Sequence, residues 1–259
     1  MARPILALAG IVVIGAGLAI GFGWGVASSV TREATISEQI HGVKLTAAAG
    51  DVRVRTGSGP VRVQEKLQYH FSSDPGDAYR VEGGQLVLGD CGSNCSADFE
   101  IVVPAGIPVT GDIDSGALDV AGVSSVDVTS HSGQAQVADV AGPVSLNLSS
   151  GSTDVRNVGD LKVHSSSGRV KAEGVRGNVD VSVDSGRVEL GLDQPANVTV
   201  KADSGSVDVR VPAGSYRVTG DSGSGRRSVE IPQYLQNASP ESKTLDLNTG
   251  SGRLTVKAA

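Results

Sequence analysis

Aromatic residues are scarce in this chain of 259 residues, which has one Trp, four Tyr and three Phe. So few aromatic side chains cannot line a large ligand pocket. The sequence also lacks a stripe of basic residues interleaved with aromatic ones. Its 22 Lys and Arg stand against 28 Asp and Glu, which gives a net charge of −6. The pair Arg226-Arg227 is too short to track phosphates, so a nucleic-acid binder is disfavoured.

Cysteine is nearly absent, and the two that occur, Cys91 and Cys95, are close neighbours in the chain. They enclose Gly92-Ser93-Asn94, three turn-forming residues that can bring the sulfur atoms within bonding distance. We therefore predict a local disulfide. A metal site is the alternative, but it needs more ligands. The histidines are scattered, at His41, His70, His131 and His164.

A long charge-free run near the amino terminus predicts a membrane segment. No charged residue occurs from Pro4 to Val30, and Ile5–Ala27 is an uncharged stretch of 23 residues. That length spans the hydrocarbon core of a bilayer as a helix, whereas a signal peptide usually has an apolar stretch of about 7 to 15 residues. An uncleaved anchor is therefore favoured over a signal segment, although Val26-Ala27-Ser28 could be a cleavage site.

The charges that flank this segment predict its orientation. Arg3 and the amino terminus lie on one side, while Arg32 is followed at once by Glu33 on the other. This slight positive excess before the segment favours a cytoplasmic amino terminus. A close cysteine pair agrees, because disulfides persist mainly in oxidising compartments. We therefore expect a single-pass protein of the cell membrane whose bulk is extracytoplasmic.

Glycine is abundant, with 35 residues, and much of it belongs to a repeat. The dipeptide Ser-Gly recurs at intervals of 17 to 19 residues, at Ser115-Gly116, Ser132-Gly133, Ser150-Gly151, Ser167-Gly168, Ser185-Gly186, Ser204-Gly205 and Ser222-Gly223. Between these points lie two short alternating apolar runs, for example Val179–Val183 and Val188–Leu190. Alternation with a period of two indicates β-strands, and glycine permits the positive φ of a tight corner.

A single repeat is too small to fold alone. Ordering about 18 residues costs roughly 27 kcal/mol, while five buried Val-sized side chains return about 8 to 15 kcal/mol. Stacking must supply the remainder, so we expect an all-β fold, a parallel β-helix or β-solenoid with about 17 to 19 residues per coil, preceded by a transmembrane helix. An up-and-down sandwich is the rival, but it would not impose one register on seven successive corners.

The predicted organisation has three parts. Residues 1–30 form the transmembrane anchor or signal segment, and residues 31–113 form irregular β coils that cap the stack. Residues 114–259 form the regular β-solenoid, with a carboxyl-terminal cap loop near 226–245. Leu254 and Val256 are expected to close the stack.

Two outward positions of the predicted coils carry repeated polar residues. Asp184, Asp203 and Asp221 each stand two residues before a corner glycine, so stacking would place three carboxylates in one column. A shared calcium ion is one interpretation of that column, and a solvated turn, which Asp favours, is the other. A second stripe lies three positions after the corner glycines and could meet a basic partner. It consists of Asp119, Gln136, Asp154, Lys171, Glu189 and Asp208.

The run Phe99–Gly106, followed by coils of the form Ser-Gly-x-Val-x-Val, resembles the bacterial putative-adhesin family of β-strand-repeat proteins, a family of unknown function. The resemblance covers roughly residues 35 to 259. It implies an extended β-solenoid behind a membrane segment or leader, and a role in adhesion or in sensing envelope stress. No catalytic residues are defined for the family, so it implies none here.

These observations favour a non-catalytic, membrane-anchored, extracytoplasmic protein that binds an envelope component or a partner protein. We expect no catalytic residues, no cofactor and no nucleic-acid partner. A self-assembling structural scaffold, in which coil ends stack between molecules, is the second hypothesis. A polysaccharide-acting β-helix enzyme is the third, although the regular coils contain few aromatic residues that could hold sugars.

Overall fold

The computed structural model describes residues 27–70, 73–232 and 241–259, and in these ranges the chain has an all-β fold. Their strands belong to one continuous sheet. The expected all-β class is therefore confirmed. Most of the predicted membrane segment lies outside the described residues, but its last part, Ala27–Val30, belongs to the first strand. The described ranges hold no helix that is both long enough and apolar enough to cross a bilayer.

The strands fall into three groups along the chain. Those before the regular repeats are β1 (Ala27–Ile36), β2 (Gly42–Ala49), β3 (Val52–Thr56), β4 (Val61–His70), β5 (Tyr79–Glu82), β6 (Gln85–Leu88) and β7 (Cys95–Val103). Those of the regular repeats are β8 (Val109–Ser115), β9 (Ala117–Ala121), β10 (Val126–Ser130), β11 (Gln134–Ala138), β12 (Val144–Arg156), β13 (Leu161–Val175), β14 (Val179–Leu192) and β15 (Val198–Val211). The last are β16 (Tyr216–Thr219), β17 (Arg226–Glu230) and β18 (Lys243–Ala258).

In the regular part, each strand lies parallel to the equivalent strand of the next repeat. Val126 of β10 is opposite Val144 of β12, which is opposite Leu161 of β13. Leu161 in turn is opposite Val179 of β14. From β12 to β15, the two strands of a repeat join into one long strand that passes through the corner. The chain therefore forms a solenoid-like stack whose step is the period of the Ser-Gly repeat.

The core of the stack consists of inward side chains from both strands of each repeat. Burial alternates along β14, where Val179, Val181 and Val183 are buried and Asp180 is exposed. The buried apolar side chains of the stacked strands belong to one hydrophobic cluster. Burying one Val-sized side chain contributes about 1.5 to 3 kcal/mol. The continuous columns thus provide the stabilisation that a single repeat lacks.

The corner glycines are stacked directly on one another. The φ angles of Gly151, Gly168 and Gly186 are 129°, 131° and 152°, which side-chain-bearing residues rarely adopt. A Cβ on Gly168 would also overlap the carbonyl oxygen of Gly151. This contact recurs through the whole column, which consists of Gly50, Gly116, Gly133, Gly151, Gly168, Gly186, Gly205, Gly252 and Gly225. The corner is therefore closed to any side chain, both by conformation and by space.

At the carboxyl end, the order of the strands in space differs from their order in the chain. β18 pairs with β15 on one side and with β16 and β17 on the other. Leu254 and Val256 therefore do not close the stack, because Arg227 and Val229 of β17 lie beyond them. The prediction was wrong here because the order of strands along a sequence cannot show that a later strand inserts before an earlier one.

The corner of this outermost coil is also shifted from its predicted position. Gly225 is stacked on Gly252, so the corner is Ser224-Gly225 and not Ser222-Gly223. Two Ser-Gly pairs follow one another here, and the register between β17 and β18 selects the second. The predicted cap loop at 226–245 contains β17 and the start of β18, and residues 233–240 lie outside the described ranges.

The amino-terminal part of the sheet combines parallel coils with an antiparallel extension. β2 and β3 lie between the strands β6 and β7 on one side and β8 and β9 on the other, all in parallel. β4 then continues the sheet antiparallel to β7, and β1 is antiparallel to β4. β5 forms a hairpin with β6. The irregularity seen in the sequence before residue 114 therefore reflects a change from parallel to antiparallel pairing.

A buried ion pair ties this extension together. The side chain of Glu65, on the inward side of β4, is fully buried and accepts hydrogen bonds from Arg32 Nη1 at 3.2 Å and from the Ala78 N–H at 3.0 Å. Arg32 also pairs with Asp74 and lies 3.6 Å from Asp77. Burial raises the pKa of Glu65, whereas the hydrogen bond from Arg32 lowers the pKa of Asp74. Arg32 is thus the cation that makes the buried carboxylate tolerable.

We predict that Gly168→Ala destabilises the protein by about 2 to 4 kcal/mol, because the new methyl group has neither an allowed φ nor free space. Gly191→Ala is the matched control. Gly191 lies in the same stack without a positive φ, and a Cβ there would be 3.8 Å from its nearest neighbour. Urea denaturation followed by circular dichroism measures both. Equal midpoints for the two variants would contradict the closed corner.

We predict that Arg32→Ala lowers the free energy of unfolding by about 3 kcal/mol at pH 7, because it leaves Glu65 buried and unpaired. The loss should shrink towards pH 4. Glu65, whose pKa is raised in the folded state, then takes up a proton, and the contribution of Asp74, whose pKa is lowered, fades as the pH falls.

Arg62→Ala is the control for this prediction, because Arg62 lies on β4 with an exposed side chain. It should change the stability by less than about 0.5 kcal/mol at either pH. Denaturant titrations at pH 4 and pH 7 give the comparison. An Arg32→Ala loss of the same size at both pH values would show that the ion pair is not its source.

Candidate functional surface

The outward stripe predicted from the sequence exists as one row across the sheet. Its strands follow the corners, and its members lie opposite one another in adjacent repeats. The row consists of Asp119, Gln136, Asp154, Lys171, Glu189 and Asp208. The prediction of a continuous stripe is therefore confirmed. The structure extends it at both ends, through Arg53 and Glu100 in one direction and Thr255 and Ser228 in the other.

At the amino-terminal end of this face, the charges neutralise one another. Arg53 pairs with Glu100 and lies 3.4 Å from Oδ2 of Asp119. Arg55 pairs with the same oxygen of Asp119 and donates to its backbone carbonyl at 2.9 Å. Two arginines are thus engaged by two carboxylates, and this end of the face has little charge left for a partner.

The carboxyl-terminal end of the same face presents arginines in a row beside the corner glycines. Arg169 is opposite Arg187, and Arg187 is opposite Ser206. Ser206 is opposite Arg253, which is opposite Arg226. We call Arg169, Arg187, Arg253 and Arg226 the arginine row. All four side chains are exposed.

Sequence reasoning did not find the arginine row, although a signal for it is present. The tripeptide Ser-Gly-Arg occurs four times, at 167–169, 185–187, 224–226 and 251–253. The first two units belong to successive repeats, but the other two are brought together only because β18 inserts between β15 and β17. The row contains no aromatic residue, so it differs from the stripe of basic and aromatic residues that the sequence was found to lack.

Two connected grooves run along this part of the surface. One, of about 590 Å³, lies over Gly168, Gly186 and Gly205 and is bordered by Arg169 and Arg187. The second, of about 1080 Å³, continues from it through Arg187 and Ser206. It ends over β18 and the outermost coil, where it is lined by Ser224, Arg226, Arg227, Ser228, Glu230, Arg253 and Lys257. Glycines form the floor of the first groove because the corner excludes side chains, so a ligand can approach the backbone closely.

The predicted carboxylate column is interrupted. Asp184 and Asp203 hold equivalent positions in adjacent repeats. The next position belongs to Gly250, while Asp221 donates its N–H to Oδ1 of Asn248 at 3.2 Å. The prediction of a three-carboxylate column is therefore wrong for its third member, Asp221. Among residues 27–70, 73–232 and 241–259, no three His, Cys, Asp or Glu side chains are grouped to hold a metal ion.

The predicted disulfide between Cys91 and Cys95 is present, with Cα atoms 5.5 Å apart. It closes the turn between β6 and β7, and both cysteines pack against the hydrophobic cluster. Asn94 within this turn has a φ of 62°, which Asn tolerates better than most residues. The cysteines therefore fasten a turn at the amino-terminal end, far along the chain from the arginine row.

The large buried aromatic side chains belong to the core and offer no platform for sugars. Phe99 and Tyr216 are almost completely buried. The Tyr216 hydroxyl donates to the carbonyl of Pro212 at 3.0 Å, and burial raises the pKa of Tyr216 to about 12. Tyr216 therefore fills the end of the stack as a neutral phenol.

The chain resembles known proteins in its sequence family and in its fold. It matches the family described as Toastrack DUF4097 over residues 51–258. No curated protein matches it. The structure of a putative adhesin from Parabacteroides merdae is similar, with a TM-score of 0.55 and 12% identity over 88% of this chain and 96% of that one. At that identity, the likeness concerns the fold.

Two further structures align over similar lengths with lower scores. A putative cell adhesion protein from Clostridium sporogenes gives a TM-score of 0.28 at 14% identity, over 88% of this chain and 99% of that one. A putative adhesin from Bacteroides fragilis gives 0.27 at 14% identity, over 89% and 97%. The family match covers most of the chain, so this protein belongs to the Toastrack DUF4097 family, and its resemblance to the bacterial putative adhesins is confirmed.

Proposed function

We propose that the protein is a non-catalytic, adhesin-like β-solenoid that is anchored in the cell membrane and binds an envelope component or partner protein outside the cytoplasm. The observation that carries this proposal is the register of the outward rows. Equivalent side chains of successive repeats stand opposite one another from β9 to β18. The protein of similar fold from Parabacteroides merdae is described as a putative adhesin, which supports the same class.

The mode of binding follows from the repetition. Each repeat presents the same outward positions at about 4.8 Å steps, the usual strand spacing. A ligand with its own repeat therefore meets several weak contacts at once, and linked contacts raise the overall affinity far above that of one contact. Such a surface needs no deep pocket and no catalytic group.

The anchor and the location are supported by the sequence. The uncharged run Ile5–Ala27 has the length of a bilayer-spanning helix, and Arg3 precedes it. The disulfide Cys91–Cys95 is stable in an oxidising compartment, which agrees with a position outside the cytoplasm. A sensing role in the envelope would use the same placement and the same surface.

A self-assembling scaffold is the second candidate, and one residue argues against it. Arg227 of β17 occupies the outermost position of the column to which the buried Leu254 belongs. Its side chain is exposed and donates to the carbonyl of Val218 at 3.3 Å. A charge at the end of an apolar column opposes stacking of a second molecule on it, since that would bury the charge.

We predict that added protease degrades the repeats of the full chain on intact cells. A chain lacking residues 1–26, made in the same cells, should be protected until the cells are permeabilised, because it has no segment to carry it across the membrane. Immunoblotting of the repeat region follows both. Protection of the full chain on intact cells, with digestion after permeabilisation, would overturn the proposed location.

We predict that Arg227→Val causes self-association that rises with protein concentration, because it exposes an apolar end of the core column. Arg226→Val is the matched control, since Arg226 points outward from the same strand. Light scattering of the wild-type chain and both variants, in the same neutral detergent, gives the masses. A mass of the wild-type protein that rises with its concentration would favour the self-assembling scaffold instead.

A further inference from the structure

The arginine row has the length and spacing of a site for an extended ligand. It spans four strand-to-strand steps, from Arg169 through Arg187, Ser206 and Arg253 to Arg226. At about 4.8 Å per step, this is about 19 Å. The four arginines therefore form a row along one edge of the groove, interrupted at Ser206, and not a single anion site.

Little of this positive charge is neutralised by the protein. Arg187 lies 3.7 Å from Glu189, while Arg169, Arg226 and Arg253 make no ion pair in the part of the chain that the structure describes. The whole chain has a net charge of −6, so the row is a local exception. Unpaired, exposed arginines are available to bind carboxylate or phosphate groups bidentately.

The groove beside the row also offers groups that suit sugar hydroxyls. Ser206 and Ser224 supply hydroxyls, while Asp208 and Glu230 supply carboxylates that accept hydrogen bonds. Glu230 already accepts a hydrogen bond from the Ser228 hydroxyl at 2.9 Å and lies 3.6 Å from Lys257 Nζ. A ligand that is only a line of negative charge would be repelled by these carboxylates. A ligand that alternates anionic groups with hydroxyl donors would use both kinds of side chain.

Two other polyanions fit this surface less well. Among the described residues, no aromatic side chain lines either groove, so the bases of a single-stranded nucleic acid would find no stacking partner there. The lining of the larger groove within residues 27–70, 73–232 and 241–259 includes no exposed apolar side chain, so an anionic bilayer would gain no insertion from it. The chemistry of the lining therefore favours a polysaccharide over both.

We propose that the arginine row binds an extended anionic polysaccharide, one whose sugar units carry carboxylate or phosphate groups. The proposal rests on the proposed function, because the repeats must face the cell envelope to meet such a polymer. The anionic groups pair with the four arginines, and the sugar hydroxyls bond to the serines and carboxylates of the groove. The glycine floor lets the polymer lie close to the backbone.

The test measures binding of fluorescent polygalacturonate oligomers to the purified full chain in neutral detergent, by anisotropy. We expect saturable binding that weakens as salt is raised. Changing all four members of the row to Gln should weaken it by at least about tenfold, and single changes by about threefold. Dextran, a neutral polymer, should not bind.

The matched control removes four other exposed arginines, Arg62, Arg80, Arg176 and Arg217, also by substitution with Gln. Both quadruple variants have the same net charge, so an equal loss of binding in the two would show that the row is not the site. Circular dichroism must show that both retain the β spectrum of the wild type. Row variants Arg→Lys provide a second measurement and should restore part of the affinity.

Single-stranded DNA of equal charge and vesicles of anionic phospholipid are tested in parallel. Tighter binding of either than of polygalacturonate would overturn the assignment to a polysaccharide. Protease digestion on intact cells reports the location independently of these assays. If the repeats are digested on intact cells but the protein does not bind polygalacturonate, this inference alone is wrong. If the repeats are protected from protease on intact cells, the proposed function is wrong.

Discussion

The contact of backbone on backbone at the corners is the constraint on which the rest of the structure depends. A column of glycines lets successive repeats turn at the same place. At each of these glycines, a side chain would overlap the preceding carbonyl oxygen, whereas a hydrogen atom fits. Because every repeat turns at the same place, its inward side chains fall on those of the next. The core columns and the outward rows both inherit this register, so the corner governs stability and surface alike.

The two ends of the stack share a feature that simple winding would not produce. At the amino end β2 and β3 lie between later strands, and at the carboxyl end β18 lies between earlier ones. In each case a strand receives hydrogen-bond partners on both sides, so the open edge falls on other strands. The exposed ends are then made by short strands or by charged ones, such as β17 with Arg226, Arg227 and Glu230.

The surface shows how a regular backbone converts scattered residues into a continuous chemical feature. One end of the face neutralises its arginines with Glu100 and Asp119, while the other leaves a row of arginines beside a glycine floor. Neither property belongs to a single repeat. Both arise because one position is presented again at every step of the stack.

The sequence by itself determined the period, the strand alternation, the glycine corners, the local disulfide and the acidic stripe, because each depends on residues close in the chain or on a repeat of fixed length. Only the tertiary structure decided the order of the end strands, the corner at Gly225 and the meeting of Arg226 with Arg253. These features depend on hydrogen-bond pairing between strands that are distant in the chain. The alternation of residues along one strand does not reveal this pairing, because it is the same whichever strand lies beside it. The arginine row therefore becomes visible only when the strands are set side by side.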